Sequence, residues 1–381
     1  MTCKRIFSIF ICLFFVANTF AQSLPGMSEV RIGVVLPLKE KSQRGAKMVE
    51  FYQGLLMAVD SMRHIGLSVD VKTLHSGTTT HEMDMLLASN SLADRDVIFG
   101  PLDHAQLQGL ADYCDIHGVR LVVPFSTVQT QVTLYPRHYM ASAPRAVVQR
   151  EALWFLQNHF SEYNFIAFDC NEQNDEGAAF IELLRDQMSQ NGVYVRQMNV
   201  NGDDIAFNQA FNSQRRNMII PNSSSLKALN QLLPKLRDYK KAYPDVQISL
   251  LGYPGWQTYT SQLLNDFYQM DTYVFSPFFR NPLAPRNEEF DRRFIQWFHQ
   301  PMGATFPRYA QMGFDMAFFF LRGLSIYGEN FEANLANLPV RPFQHPFFFV
   351  RQGDAGGYMN EFVQLIHYNP NQTIELVTRN R

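Results

Sequence analysis

Catalytic signatures are what this 381-residue chain most lacks. It has no GxSxG elbow, no Walker-type phosphate loop and no GxGxxG turn. Its ten histidines are scattered, and none stands at metal-ligand spacing from another histidine or a cysteine. His75 and His81 come nearest to a pair and read as surface residues. No nucleophile has a base beside it in the local sequence, so neither an enzyme nor a cofactor or metal is expected. Charge of one sign is also missing: 33 basic residues face 35 acidic ones. Without a basic patch, nucleic acid and anionic membrane surfaces are excluded as partners. Cysteine is sparse, with four in all, two of them within the first 21 residues. Cys114 lies on a helical stripe and Cys170 at a strand end, and they read as two buried thiols rather than a bridge. Beyond the N-terminal segment no apolar run is long enough to span a bilayer. Met312 to Tyr327 comes nearest, but Asp315 and Arg322 interrupt it, which points to a buried helix.

The chain opens on a targeting segment. Lys4 and Arg5 precede an apolar core from Ile6 to Val16, and Thr19 and Ala21 supply small residues at the peptidase positions, so cleavage is expected after Ala21. Cys12 sits inside the apolar core behind Phe10-Ile11 and does not fit a lipidation site. Loss of Lys4 and Arg5 takes the formal net charge from −2 to −4. The remainder is long enough for roughly two domains of about 150 residues each.

Val97 to Ser126 shows the organisation most clearly. An apolar run, Val97-Ile98-Phe99, stops at Gly100-Pro101. Leu107, Leu110, Ala111 and Cys114 then recur at helical spacing up to Gly118, and Leu121-Val122-Val123 leads into Pro124-Phe125-Ser126. That is one β-α-β unit with a right-handed crossover. Upstream, Arg31 to Leu38 is a strand and Lys39 to Lys47 a polar, basic loop; Met48, Tyr52, Leu55, Val59 and Met62 mark a helix. Val69 to Leu74 is a strand, and Thr79 to Leu92 a helix that opens on an N-cap threonine with Glu82 in its first turn. The alternation restarts after His138 to Ala143, through strands near Phe165, Val193, Asn217 and Val246 with helices between them. Thr272 to Phe279 is extended, Asn287 to Gln300 and Arg308 to Tyr327 are helices, and the latter is nearly all apolar. Phe343 to Arg351, Tyr358 to Tyr368 and Glu375 to Val377 read as closing antiparallel strands, with a hairpin turn at Gly353 to Gly357. The fold class is α/β, with two doubly wound parallel sheets.

In such sheets ligands bind beyond the carboxyl ends of the strands. In the first half those ends hold Pro101, Asp103 and His104, then Ser126 and Thr127. Asp103 and His104 stand at a helix start, where free backbone N–H groups favour an anion, although Asp103 is more simply an N-cap. In the second half the ends hold Asp169 and Gln173, then Asn222 to Ser224, then Tyr253 and Trp256. Tyr253 and Trp256 offer apolar faces with polar handles, suited either to stacking on a ligand or to the core.

The order RIGVVLPL, VIFGPLDHAQ, RLVVPFST, HYMASAPR, TYVFSPFF and RYAQMGFDMAFFFLRGL resembles type 1 periplasmic binding proteins, especially the branched-chain amino acid receptor group. The GPL and RYAQMGFD segments are also similar to the binding-protein-like domain of penicillin-binding protein activators and of Bacteroidetes LysM envelope proteins. The resemblance covers nearly all of the mature chain. It implies two lobes joined by three crossings, near Val128 to Pro144, Asn265 to Pro277 and Glu329 to Phe343, that close on a ligand by hinge motion. The lobes would comprise 22–143 with 280–340, and 144–279 with 341–381. The receptor group implies a periplasmic or secreted protein that captures a small polar molecule, an amino acid or another metabolite, for a membrane permease of the ABC importer type. The activator group implies instead a ligand-free envelope scaffold or regulator of cell-wall enzymes. In the receptor group hydroxyls and backbone N–H groups at the positions of Gly100-Pro101 and Pro124 to Thr127 take the ligand carboxylate. The acidic Asp103 beside them would repel one.

Overall fold

The period-two and helical patterns resolve into ten helices and fourteen strands in the computed structural model, which describes residues 26–128, 132–172 and 175–379. The expected signal segment, Cys12 and Gln173 lie outside the described residues. The first series is β1 (Glu29–Leu36), α1 (Gln43–His64), β2 (Ser68–His75), α2 (Thr80–Ala88), β3 (Val97–Phe99), α3 (Leu107–His117), β4 (Arg120–Val123) and β5 (His138–Met140). The second is α4 (Arg145–His159), β6 (Asn164–Asp169), α5 (Asp175–Gln190), β7 (Val195–Asn199), α6 (Asp204–Ala210), β8 (Asn217–Pro221), α7 (Leu226–Ala242), β9 (Ile248–Gly252), α8 (Thr260–Gln269) and β10 (Thr272–Ser276). The chain ends with α9 (Pro285–Phe298), α10 (Tyr309–Tyr327), β11 (Phe349–Arg351), β12 (Tyr358–Asn360), β13 (Gln364–Tyr368) and β14 (Ile374–Thr378).

Each series builds one seven-stranded sheet. The orders, β2-β1-β3-β4-β5-β12-β11 and β7-β6-β8-β9-β10-β13-β14, are the same pattern used twice. Five parallel strands form each centre, and the late strands add mixed edges. The strand order reverses between β1 and β3 and again between β6 and β8, which puts a topological switch point in each lobe.

The local signals explain the boundaries. Thr79 caps α2 and Glu82 returns the bond, a full capping box. Gly118 ends α3 at φ +67°, as a helix C-cap glycine does. Ser42 caps α1, so Arg44 and Lys47, expected in a loop, belong to its first turns. Helix α10 is buried, as its apolar composition requires. It meets α1 backbone to backbone: a Cβ on Gly54 would lie 1.7 Å from the Ala310 carbonyl oxygen, and one on Gly313 would lie 2.0 Å from that of Phe51. Arg120 is buried beneath this layer and is held by Glu332 at 2.7 and 3.1 Å; Tyr139 donates to the same carboxylate at 2.8 Å.

Two expectations are corrected. Tyr358 to Tyr368 is not one strand of the second lobe. It is cut at Glu361–Val363, with β12 parallel to β5 in the first sheet and β13 antiparallel to β10 in the second. The third crossing is therefore this three-residue break, not Glu329 to Phe343, and the 349–360 hairpin belongs to the first lobe. The cause is the buried Asn360. Its amide donates to the carbonyls of Ala141 (3.0 Å) and Pro346 (3.3 Å), and its oxygen accepts from Phe348 (2.9 Å) and Phe362 (3.1 Å). Four backbone groups from three segments converge on one side chain, which strand alternation does not reveal. The other crossings are 141–144 and 277–284. Helix α6, capped by Asp203, was not anticipated.

Candidate functional site

The two crests of strand ends are built differently. In the first lobe β3 runs into Gly100 at φ +140°, where a Cβ would lie 2.1 Å from the Val35 carbonyl oxygen. Only glycine fits so close an approach. Pro101 is buried behind it. Asp103 makes no capping bond to the short helical turn that follows, so the N-cap expectation is corrected: its carboxylate pairs with Arg44 of α1. That hydrogen bond raises the Arg44 pKa. The second Asp103 oxygen, Oδ2, is buried without a partner. Gln106 ties the turn to β2 and α2 through bonds of 2.9 Å to the carbonyls of Ser76 and Thr79. His104 and Thr127 are exposed. Ser126 Oγ accepts from the Val128 N–H at 3.2 Å, closing its own turn.

In the second lobe Asp169 is exposed and neutral amides surround it. Its carboxylate accepts from the Asn171 N–H and from the Asn222 side chain, each at 2.9 Å. Asn222 also accepts from the Cys170 N–H at 2.9 Å, and Asn171 and Asn199 exchange amide bonds of 3.0 and 2.7 Å. The ends of β6, β7 and β8 are thereby laced together. Tyr253 is buried and donates to the Pro221 carbonyl at 2.7 Å. Trp256 is 0% exposed and stacks on Phe267 with centroids 5.7 Å apart, so its expected ligand-facing role is corrected to a core one. Both cysteines are free and buried; burial pushes the Cys170 thiol up to about 12.

No helix or strand of one lobe packs extensively on one of the other. The three crossings and their hydrogen bonds carry the connection. Gln344 ties the second crossing to the first lobe: its carbonyl accepts from the Phe279 N–H at 3.0 Å and its side-chain oxygen from the Arg308 N–H at 3.0 Å.

A cavity of about 560 Å³ lies beside the second crossing and takes walls from both lobes. Thr258, Thr260 and Ser261 face it from the second lobe, Arg308 from the first and Arg280 from the crossing itself. Arg280 is anchored by Gln311 (3.0 Å) and Asp291 (2.6 Å). Burial, then the nearby Arg280 charge, lowers the Arg308 pKa, with Asp291 and Glu50 acting in the opposite direction. The sequence reading missed both arginines; the RYAQMGFD segment that begins with Arg308 was its one pointer to them. Asp103, His104, Ser126 and Thr127 do not line this cavity. Among the described residues no cluster of metal-ligating side chains exists, and no helix is long and apolar enough to cross a membrane.

Solved structures share this architecture. A putative branched-chain amino acid ABC transporter from Rhodospirillum rubrum matches with a TM-score of 0.62 at 12% identity, covering 92% of this chain and 100% of the other. The C-domain of LpoA (YraM) from Haemophilus influenzae, a regulator of PBP1A, matches at 0.55 and 15% identity, covering 91% and 100%. A branched chain amino acid ABC transporter periplasmic ligand-binding protein from Burkholderia xenovorans matches at 0.54 and 11%, covering 92% and 94%. No family model and no curated protein matches the chain. At such identities the shared property is the fold, that of the type 1 periplasmic binding proteins, as the order of sequence segments implied.

Proposed function

We propose that this chain, with its type 1 binding-protein fold, is a non-enzymatic cell-envelope protein whose lobes close on a small anionic solute. The supporting observation is the cavity between the lobes, where Arg280 and Arg308 meet three hydroxyl-bearing residues. Guanidiniums match carboxylate or phosphate oxygens in pairs, and a desolvated pair holds them best. The unpacked lobes leave room for hinge closure. The exposed crest residues His104, Thr127 and Asp169, with Ser126 and the Arg44–Asp103 pair, are the surfaces that closure would bring together. Delivery to a membrane permease of the ABC importer type would follow from such a role in the periplasm.

The test is thermal shift and calorimetry on the mature chain against small dicarboxylates, sugar phosphates and acidic amino acids. One of them should stabilise the protein by about 2.7 kcal/mol at a hundredfold excess over Kd. Arg308→Gln should weaken that binding at least tenfold. No stabilisation by any member of the panel would overturn the reading.

A second reading, an envelope scaffold or regulator of a cell-wall enzyme, is favoured by the way crest side chains are taken up by their neighbours, Asp103 by Arg44, Ser126 by Val128 and Asp169 by Asn171 and Asn222. It predicts no solute binding, and saturable binding of a purified penicillin-binding protein to the crest surfaces.

A further inference from the structure

A second cavity, of about 600 Å³, lies at the third crossing, away from the arginine pair described above. Its walls come from α10, from the 335–349 segment, from Glu361–Val363 and from the end of β14. The FQHPFFFVR stretch, read from sequence as a closing antiparallel strand, supplies much of the lining. Phe347 and Phe349 stack in parallel, with centroids 5.5 Å apart and planes at 1°. Phe314 and Phe318 do the same at 5.6 Å and 9°, and Phe343 meets Phe314 edge-on at 5.2 Å. Such interlocked rings make rigid walls that cannot collapse inward. Phe318, Phe343, Phe347 and Phe349 are nonetheless only half-buried, which is unusual for a contiguous aromatic set and marks a binding surface.

The charges around the groove are unequal. Asp315, in its floor, is spent on the backbone N–H groups of Phe343 (2.7 Å), Gln344 (2.8 Å) and His345 (2.8 Å). Glu361 is paired with Arg150 at 2.6 Å, and Arg379 with Glu151 at 3.2 Å. Arg286 lies over the Phe343 ring at 4.1 Å and donates to the Arg341 carbonyl at 2.8 Å. Neither Arg286 nor the exposed Arg341 has a carboxylate within ion-pair distance among the described residues. The groove is thus an apolar trough with two guanidiniums at one rim.

We propose that this groove binds an amphiphile with a single apolar chain and one carboxylate head, the chain against the phenylalanines and the head on Arg286 and Arg341. The volume is in the range of small-molecule sites. A ligand lying there would touch the first lobe, the third crossing and Thr378 and Arg379 of the second, so it would grip the hinge rather than fill the cleft.

Calorimetry on the intact mature chain tests this, with dodecanoate as the probe. Dodecanoate should bind one to one; dodecanol, which lacks the charge, at least tenfold more weakly; and acetate, which lacks the chain, not measurably. Arg341→Glu should weaken dodecanoate at least tenfold and leave dodecanol unchanged. Phe318→Trp, which fills the trough, should abolish both, and Leu338→Trp, at another lining residue, replaces it if that variant does not fold. Arg308→Gln should leave dodecanoate binding intact, so this site and the solute site fail separately. Unsaturable uptake of dodecanoate, equal affinity in the filled variants, or binding only to phosphatidylglycerol vesicles would overturn the proposal.

Discussion

The two crests of strand ends engage their polar groups by opposite means. The first lobe uses a half-exposed ion pair, Arg44 with Asp103, and leaves one carboxylate oxygen of Asp103 buried and unpartnered. The second uses a lattice of neutral amides around Asp169 and roots its aromatic residues in the core. An exposed ion pair is worth little and exchanges readily with solvent or ligand, whereas Tyr253 and Trp256 behind the second crest are buried and fixed by the core. The first crest is therefore the side able to trade its own contacts for a ligand's, and the second is the fixed wall.

The sharpest way to break that contrast is Trp256→Ala. With the indole fully buried and stacked on Phe267, the substitution should cost about 3–5 kcal/mol and lower Tm markedly. A loss under about 1 kcal/mol, read from denaturant midpoints, would mean that the second crest is not anchored in the core.

Acid should separate the lobes next. Burial holds His138 in β5 at about 4 and His345 beside the hinge at about 3, both below the ordinary histidine value. A folded-state pKa below the unfolded one means stability is lost as pH falls below about 6.5. Asp315 works the other way: burial raises it to about 7, so its protonation favours the folded state over the same window. Two groups against one leaves a net downward slope of stability as pH falls from about 6.5 towards 4. In the second lobe Asp271 is lowered despite burial, because His367 and Ser249 hold the carboxylate, so its contribution is lost only below about 3.8. Hydrogen exchange followed by peptide should show the first lobe opening at pH 5 while the second stays protected. His138→Leu should remove much of that slope. Equal loosening of both lobes at pH 5 would refute the difference.

The smallest effect expected is that of Arg44→Ala, at most about 1 kcal/mol of stability, since both partners are partly exposed. A Tm drop equivalent to more than about 2 kcal/mol would make the pair a structural clamp rather than an exchangeable contact.

Much of this was readable from the chain. Capping residues, Gly118 and period-two runs placed nearly every strand and helix, because those signals act over three to five residues. The crest positions of Pro101, Asp103, His104, Ser126 and Thr127 also followed from strand ends. What those side chains do there did not. Asp103 looks like an N-cap until Arg44, 59 residues away, takes its carboxylate. Tyr253 and Trp256 look like a ligand platform until α8 brings Phe267 under the indole. Arg280 and Arg308 carry no local signature, and only the second crossing brings them to one cavity.

By itself, then, the sequence determined the element order, the twofold β-α rhythm and the two-lobed class, since backbone preference and hydrophobic period are properties of neighbouring residues. The break at Glu361–Val363, the allocation of the β11–β12 hairpin to the first lobe and the two cavities beside the crossings came from the folded arrangement. They depend on Asn360 meeting the backbone of Ala141, Pro346 and Phe348 and on Phe314 of α10 meeting Phe343 edge-on, and contacts of that span leave no periodic trace in the chain.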